Sequence, residues 1–120
     1  NAVLFNEAQV PHFSYVGDSV IGYKAHLGAS AITSNLKSDK SDVVLHLEDG
    51  DFETGLRKFG AIVGDEAEVG CGSILNPGTV IGKCATVYPL SSVRGCVNKS
   101  TIYKSSDNIV VKSKKKAAKE

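Results

Sequence analysis

Histidine and cysteine side chains commonly take part in proton transfer, nucleophilic attack or zinc binding, and this 120-residue sequence has six of them. They are three histidines and three cysteines: His12, His26, His46, Cys71, Cys84 and Cys96. An imidazole has an unperturbed pKa of about 6.5, so a positioned histidine can accept a proton near neutral pH. The histidines are 14 and 20 residues apart and the cysteines show no Cys-x-x-Cys pair, so neither set has a zinc-binding spacing. We therefore predict no metal site, and interpret the odd number of cysteines as reduced thiols of a cytoplasmic protein.

A repeat of six residues must position these groups. In the second half, an aliphatic residue recurs at every sixth position and is usually followed, four residues later, by a small one. The aliphatic series is Val63, Val69, Leu75, Ile81, Val87 and Val93, and glycine directly follows three of its members at 64, 70 and 82. In the first half the series is Leu4, Val10, Val16 and, after one five-residue step, Ile21, Leu27 and Thr33. Neither the helical period of 3.6 nor the strand period of 2 produces this pattern.

The repeat predicts short straight segments, each placing one aliphatic side chain inward before the chain turns a corner. Three segments would form a triangular coil of roughly 18 residues that stacks on the next through backbone hydrogen bonds. Glycine suits corners where backbones crowd or where φ is positive. This hexapeptide pattern resembles the left-handed parallel β-helix, an all-β fold, here with about four turns over residues 1–98. Cys84 and Cys96 occupy the same place in the repeat and are interpreted as structural.

Two segments depart from the repeat. Residues 36–58 are polar, and the Asp49-Gly50 pair between apolar runs predicts a hairpin protruding from a corner. It is either a solvated decoration or a loop that reaches a neighbouring subunit or closes over a ligand. Residues 99–120 follow the last hexad, with one possible strand at Ile109–Val111. Lys112–Glu120, with five lysines and one acid, is interpreted as a disordered solvating tail or as a contact to an anionic ligand.

Composition excludes several classes of protein. No run of 18 apolar residues is present, so we predict no membrane span. The 14 basic and 13 acidic side chains are balanced, which argues against nucleic-acid binding driven by overall charge. The sequence has no methionine, so we expect it to be a processed product or a piece of a longer polypeptide.

Three runs of residues carry a resemblance to a known family. Residues 12–18, His-Phe-Ser-Tyr-Val-Gly-Asp, precede residues 28–35, Gly-Ala-Ser-Ala-Ile-Thr-Ser-Asn. This resembles the acetyltransferase domain of the bifunctional N-acetylglucosamine-1-phosphate uridylyltransferases, which have His-x-x-Tyr-x-Gly-Asp and Gly-Ala-x-x-Ile-Thr-x-Asn runs at the same separation. Residues 53–65 resemble the equivalent β-helix of archaeal sugar-1-phosphate nucleotidylyltransferases. The likeness covers roughly residues 1–98.

The resemblance implies transfer of an acetyl group from acetyl-CoA to the amine of an amino-sugar 1-phosphate such as glucosamine 1-phosphate. It implies that His12 is the general base, and a positioned base contributes typically about 10²- to 10⁴-fold. It also implies that Tyr15 and Asn35 contact the sugar phosphate and the reaction centre. Asn35 would either stabilise the negative charge that develops on the carbonyl oxygen or hold the sugar.

Cations for the phosphate are less clearly implied. The family has a lysine shortly after the asparagine, and Lys37 and Lys40 lie near that position without matching its register. We favour Lys40, and expect Arg57 and Lys58 to contact phosphate from a neighbouring subunit. A further family lysine would precede residue 1.

The resemblance also implies a cofactor-lining role for Cys71 and Pro89, whose counterparts are small residues with backbone groups facing the pantetheine arm. Cys71 has no thiolate-activating partner nearby in the sequence, so we interpret it as a packing residue rather than a nucleophile.

The implied assembly is a homotrimer with ligand sites between subunits. Its ligands would be acetyl-CoA and the amino-sugar phosphate, with no nucleic acid and no membrane. Mg²⁺ would be needed only by a nucleotidyltransferase domain upstream, because this chain has no phosphate-binding glycine motif of its own. The main alternative is a noncatalytic trimerising or regulatory β-helix, and another acyl acceptor is a third possibility.

Overall fold

A computed structural model of the chain describes residues 2–10, 15–47, 49–105 and 108–111. All secondary-structure elements in these ranges are β-strands. The strands are β1 (Ala2–Leu4), β2 (Tyr15–Val16), β3 (Ser19–Ile21), β4 (His26–Leu27), β5 (Ile32–Thr33), β6 (Val44–Leu47), β7 (Gly50–Glu53), β8 (Ala61–Val63), β9 (Glu68–Val69), β10 (Ile74–Leu75), β11 (Thr79–Ile81), β12 (Thr86–Val87), β13 (Ser92–Val93), β14 (Cys96–Val97), β15 (Thr101–Ser105) and β16 (Asn108–Val111). None of the described residues forms a helix long and apolar enough to cross a membrane.

The strands wind into a solenoid with three faces. Face 1 contains β1, β3, β8, β11 and β14; face 2 contains β4, β9, β12, β15 and β16; face 3 contains β2, β5, β10 and β13. Consecutive strands of the coil lie on successive faces and pair in parallel with strands of the next coil, so that Ile74 lies beside Ser92, eighteen residues later. The result is a left-handed parallel β-helix of about five turns, which confirms the predicted fold. Four coils are complete, and β14 and β15 begin a fifth.

The predicted inward-facing series forms the core. All members from Ile21 to Val93 are at most 1% exposed. The first coil departs from this: Leu4 is 52% exposed and Val10 and Val16 are only half-buried, because β1 and β2 lie at the edges of faces 1 and 3.

The glycines that follow the aliphatic residues are explained by crowding and not by φ. At Gly64, a Cβ atom would lie 2.7 Å from the backbone nitrogen of Lys83 on the next coil. Positive φ is found instead at corner residues that include Glu66, Cys84 and Leu90, at 59°, 60° and 60°. Of the two reasons given for glycine at corners, crowding therefore applies to these glycines and positive φ does not.

The coils also shorten near the end of the solenoid. Val80 pairs with Cys96 only sixteen residues later, so Cys96 lies in β14 while Cys84 lies at a corner. The expectation that the two cysteines are equivalent is therefore wrong.

The excursion is a β-hairpin, as predicted, and the structure shows that its base is closed. Strands β6 and β7 pair antiparallel, and a bridge joins Leu36 to Lys58. Below that bridge, the Phe59 N–H donates to the Asn35 carbonyl oxygen at 2.8 Å. Val43, just before β6, is fully buried, whereas the whole of β7 is exposed. One side of the hairpin is thus packed against the coil, and the other side faces outward.

The coil continues beyond the last hexad at Asn98. Strand β15 pairs in parallel with β12, and β16, which includes Ile109–Val111, pairs antiparallel with β15. The predictions made for Lys112–Glu120 lie outside the described residues.

Candidate functional site

Two of the three residues of the predicted reaction centre meet at the corner between faces 3 and 1. Strands β2 and β5 pair in parallel, which places the residues after each strand at neighbouring levels of this corner. Asn35 Nδ2 donates to the Tyr15 hydroxyl oxygen at 3.2 Å and to Asp18 Oδ2 at 2.7 Å. We call Tyr15, Asp18 and Asn35 the corner triad. The third predicted residue, His12, lies outside the described residues.

Asp18 is a site residue to which the sequence analysis gave no role, although it ends the quoted His-x-x-Tyr-x-Gly-Asp run. Its φ of 50° marks the turn from β2 into β3. Because both hydrogens of the Asn35 amide are directed to Tyr15 and Asp18, the Oδ1 atom remains as the acceptor for another group. This orientation favours accepting a hydrogen bond from a donor group of a ligand over stabilising negative charge on a carbonyl oxygen.

Buried hydroxyl groups fix the corner from beneath. Ser19 Oγ donates to the Gly17 carbonyl oxygen at 2.7 Å and accepts from the Ala61 N–H at 2.9 Å. It lies 3.0 Å from Thr33 Oγ1, which accepts from the Gly17 N–H at 3.1 Å. Ser19 and Thr33 are buried, so this network links the Asp18 turn to two neighbouring coils.

Glycine at position 17 leaves room for the tyrosine of the triad. A Cβ atom there would lie 2.8 Å from Cζ of Tyr15, because the ring folds back over the turn. The absence of a side chain at Gly17 thus allows the exposed Tyr15 ring to place its hydroxyl beside Asn35.

The predicted phosphate-binding cations are dispersed. Lys40, Arg57 and Lys58 are exposed within or at the base of the excursion, and Lys58 pairs with Leu36 there. The structure places none of these three in the lining of a described cavity. Lys37, the other lysine considered, lines a cavity of about 300 Å³ beside the triad.

The predicted cofactor residues do share a groove. Cys71 and Pro89 lie on adjacent coils at the corner between faces 2 and 3 and line a cavity of about 340 Å³. Tyr88, which is exposed, also lines this cavity. The coils approach closely because Gly70 has no side chain, and an added Cβ would lie 2.7 Å from Cα of Pro89.

His26 lines this groove as well, which no sequence pattern indicated. Its Nδ1 lies 2.8 Å from Gln9 Oε1, within hydrogen-bonding distance. Among the described residues, no group of three or more His, Cys, Asp or Glu side chains could hold a metal ion.

The corner triad and the groove lie at opposite edges of face 3. Gly28 on the groove and Asn35 of the triad are seven residues apart along the second coil, which corresponds to at most about 25 Å. The face between them exposes Tyr15, Ile32 and Ile74, at 52%, 36% and 41%. Within one chain, therefore, the triad and the groove do not form one continuous site.

Comparison with known proteins relates this architecture to characterised families. No model of a protein family matches the chain. It is 30% identical over 115 residues to the bifunctional protein GlmU of Methanococcus aeolicus, covering 96% of the chain and 28% of that relative. It is 33% identical over 103 residues to the bifunctional sugar-1-phosphate nucleotidylyltransferase/acetyltransferase of Sulfurisphaera tokodaii, covering 86% of the chain and 26% of the relative. The chain thus spans between a quarter and a third of the length of these relatives.

This chain is a hexapeptide-repeat left-handed β-helix domain. The β-helix domain also superposes on a solved structure of AntD, an N-acyltransferase from Bacillus cereus in complex with dTDP and coenzyme A. The TM-score is 0.59 at 16% identity, and the match covers 98% of this chain and 64% of AntD. The predicted resemblance to β-helix domains of sugar-nucleotide enzymes is therefore confirmed.

Proposed function

We propose that this β-helix domain transfers the acetyl group of acetyl-CoA to the amine of an amino-sugar 1-phosphate, as part of a cytoplasmic enzyme of sugar-nucleotide synthesis. The corner triad carries the proposal, because Tyr15, Asp18 and Asn35 come from two separated runs and are joined by hydrogen bonds of 3.2 and 2.7 Å. The names of the relatives support it, since both describe bifunctional enzymes and one includes acetyltransferase activity.

In the proposed reaction, His12 removes a proton from the substrate amine as its nitrogen attacks the thioester carbonyl carbon. A nitrogen–carbon bond forms, the carbon–sulfur bond breaks, and the proton held by His12 passes to the departing thiolate. Asn35 Oδ1 accepts a hydrogen bond from a hydroxyl or amine of the sugar, because its amide hydrogens are already donated. The Tyr15 hydroxyl, which accepts from Asn35, keeps its own proton for a sugar oxygen.

The groove of Cys71 and Pro89 is the proposed site of the pantetheine arm. Its apolar walls suit the alkyl parts of the arm, and the backbone groups of the corner suit the amides. AntD, the N-acyltransferase on which the chain superposes, was solved with coenzyme A, which supports coenzyme A as the ligand of this fold but does not place it in the groove.

We further propose that the domain acts as a homotrimer. The triad and the groove lie on either side of face 3, so the triad of one protomer and the groove of the next can form one site only when this face packs against a neighbour. The exposed Ile32 and Ile74 side chains provide an apolar surface for that contact. Mg²⁺ has no role in the proposed acetyl transfer and would serve a nucleotidyltransferase domain upstream.

The test is a thiol-release assay with acetyl-CoA and a panel of amino-sugar 1-phosphates, performed on the longest natural polypeptide that contains this domain. His12→Ala is expected to lower kcat by about 10²- to 10⁴-fold. His46→Ala is the matched control, because His46 is exposed on the hairpin and, among the described residues, its side chain pairs with Asp51. Full turnover in His12→Ala would show that His12 is not the base.

A noncatalytic trimerising or regulatory role remains the second candidate, because Lys40, Arg57 and Lys58 line none of the described cavities. It predicts a trimer that releases no thiol with any amine in the panel. The same assay, with oligomeric state measured by light scattering, separates the two functions.

A further inference from the structure

A cavity beside the corner triad collects cationic and polar groups that the sequence analysis did not bring together. It has a volume of about 300 Å³ and lies at the corner between faces 3 and 1. We call it the corner cavity. Its lining is Ser34, Leu36, Lys37, Ser38, Asp39, Asn76, Pro77 and Arg94.

The stacking of three coils builds this cavity. Strands β5, β10 and β13 pair in parallel, with Thr33 beside Leu75 and Leu75 beside Val93. The residues that directly follow these strands, Ser34, Asn76 and Arg94, therefore form a column at one corner. Lys37 reaches the same cavity from the start of the excursion. Two cations that are far apart in the sequence thus face one space.

The charge of these cations is not neutralised by contact. Within the described part of the chain, neither the Lys37 nor the Arg94 side chain makes an ion pair. Asp39 is the carboxylate of the cavity, and its Oδ1 accepts from the Ser41 hydroxyl at 2.7 Å and from the Ser41 N–H at 3.0 Å. The Ser41 hydrogen bonds, with a smaller effect of the Lys37 charge, hold the pKa of Asp39 below its ordinary value. Asp39 is thus ionised but hydrogen-bonded to its own turn, and the cavity keeps an excess of positive charge.

The neutral groups of the cavity suit a ligand with several oxygens. Among the described residues, the hydroxyls of Ser34 and Ser38 have no hydrogen-bond partner, so both can donate to an anion. Asn76 Nδ2 donates to Ser92 Oγ at 3.1 Å and to the Val93 carbonyl oxygen at 3.0 Å. Its Oδ1 therefore remains available to accept from a sugar hydroxyl.

We propose that the corner cavity binds the phosphate group of the acceptor sugar, with Arg94 and Lys37 as its cationic ligands. A guanidinium donates two parallel hydrogen bonds to phosphate, and an ammonium adds a compact charge. Ser34 is bonded directly to Asn35, so a phosphate in this cavity places the attached sugar ring against the corner triad. The inference rests on the proposed function, and it assigns the anion to Lys37 and Arg94 instead of to Lys40, Arg57 and Lys58.

The first test uses inorganic phosphate, which requires no acetyl transfer. Binding is measured by ¹⁵N NMR titration of the wild-type protein and of Arg94→Ala, Arg94→Lys and Lys37→Ala. Arg94→Ala is expected to weaken phosphate binding by tenfold or more, and Arg94→Lys by less, because lysine keeps the charge and loses the two-pronged geometry. Lys40→Ala and Arg57→Ala are the matched controls, since both remove an exposed cation that lies outside the cavity, and each is expected to change binding by less than about twofold.

The second test measures KM for glucosamine 1-phosphate, which should rise in Arg94→Ala while KM for acetyl-CoA does not. Unchanged phosphate binding in both Arg94→Ala and Lys37→Ala would overturn the assignment, as would loss of binding in Lys40→Ala or Arg57→Ala alone. If Arg94→Ala fails to fold, Arg94→Lys decides, since wild-type phosphate affinity in that variant would refute the two-pronged contact. If phosphate binds through Arg94 but no acetyl transfer is detected, the assignment of the cavity is supported and only the proposed reaction is refuted.

Discussion

Replacement of Ser19 by alanine tests how the corner triad is held. Ser19 is 5% exposed, and its single Oγ atom accepts from the Ala61 N–H at 2.9 Å and donates to the Gly17 carbonyl oxygen at 2.7 Å. Ser19→Ala leaves the Ala61 N–H buried without a partner, which costs about 1–3 kcal/mol, and removes a hydrogen bond worth about 1 kcal/mol. We therefore expect the free energy of unfolding to fall by about 2–4 kcal/mol.

Ser19→Ala should also affect function, because Asp18 lies between Gly17 and Ser19, which the hydroxyl network joins. A looser turn weakens the 2.7 Å hydrogen bond from Asn35 to Asp18 and frees the Asn35 amide to rotate. We expect Ser19→Ala to lower kcat in the thiol-release assay under conditions in which the variant remains fully folded.

Stability is measured by urea unfolding followed by circular dichroism at one fixed protein concentration, because assembly would shift the apparent stability. Ser105→Ala is the matched control, since Ser105 is exposed at the end of β15, and it should change the free energy by no more than about 0.5 kcal/mol. A loss below about 0.5 kcal/mol in Ser19→Ala would refute the argument that the hydroxyl network stabilises this corner.

Three further variants examine the groove, the core and the excursion. Gly70→Ala forces two coils apart at the groove, so it should lower stability by about 1–3 kcal/mol and weaken coenzyme A binding in calorimetry; wild-type affinity would contradict the groove assignment. Leu75→Ala should lower the free energy of unfolding by about 2–5 kcal/mol, measured by urea unfolding. Ile74, on the same strand, is 41% exposed, so Ile74→Ala should lower the free energy of unfolding far less and should instead weaken trimer formation, measured by light scattering. Ser41→Ala should raise the pKa of Asp39 toward 3.8 in a carbon NMR titration, because the side-chain hydrogen bond that lowers this pKa most is lost. Because the pKa of Asp39 is lowered in the folded protein, the ionised carboxylate stabilises the fold at pH values above 3.8, and this stabilisation is lost as the pH falls through the folded pKa. Identical Asp39 titrations in the two proteins would contradict this cause.

The repeat alone predicted most of the architecture. A hexad places one side chain inward per face, so the core from Ile21 to Val93 could be read directly from the spacing. The family resemblance, and not the repeat, indicated Cys71 and Pro89, and the structure shows both in one groove. The Asp49-Gly50 pair correctly predicted the hairpin.

What the repeat could not predict is which side chains meet across coils. Lys37 lies at the start of the excursion, which is more than twenty residues long and is inserted between two coils whose strands pair directly. The repeat spacing does not determine how the start of the excursion lies on the corner, so it could not predict that Lys37 and Arg94 line the same cavity. The hydrogen bond from Asn35 to Asp18 depends on a positive φ at a residue other than glycine, which residue type does not indicate. Lys40 matched the sequence argument better than Lys37 did, yet Lys37 is the one that lines the cavity.

Because the base of the excursion is closed, the excursion can change in length without changing the coil below it. Leu36 and Lys58 form a bridge, and the Phe59 N–H reaches the Asn35 carbonyl oxygen at 2.8 Å, so the coil resumes its register as though nothing intervened. Extending a loop whose ends are already joined adds little entropic cost, since each doubling of loop length costs only about 0.6 kcal/mol. The tip near Asp49 is therefore a natural position for length variation and for grafting a binding peptide or a label, while the column below it stays unchanged.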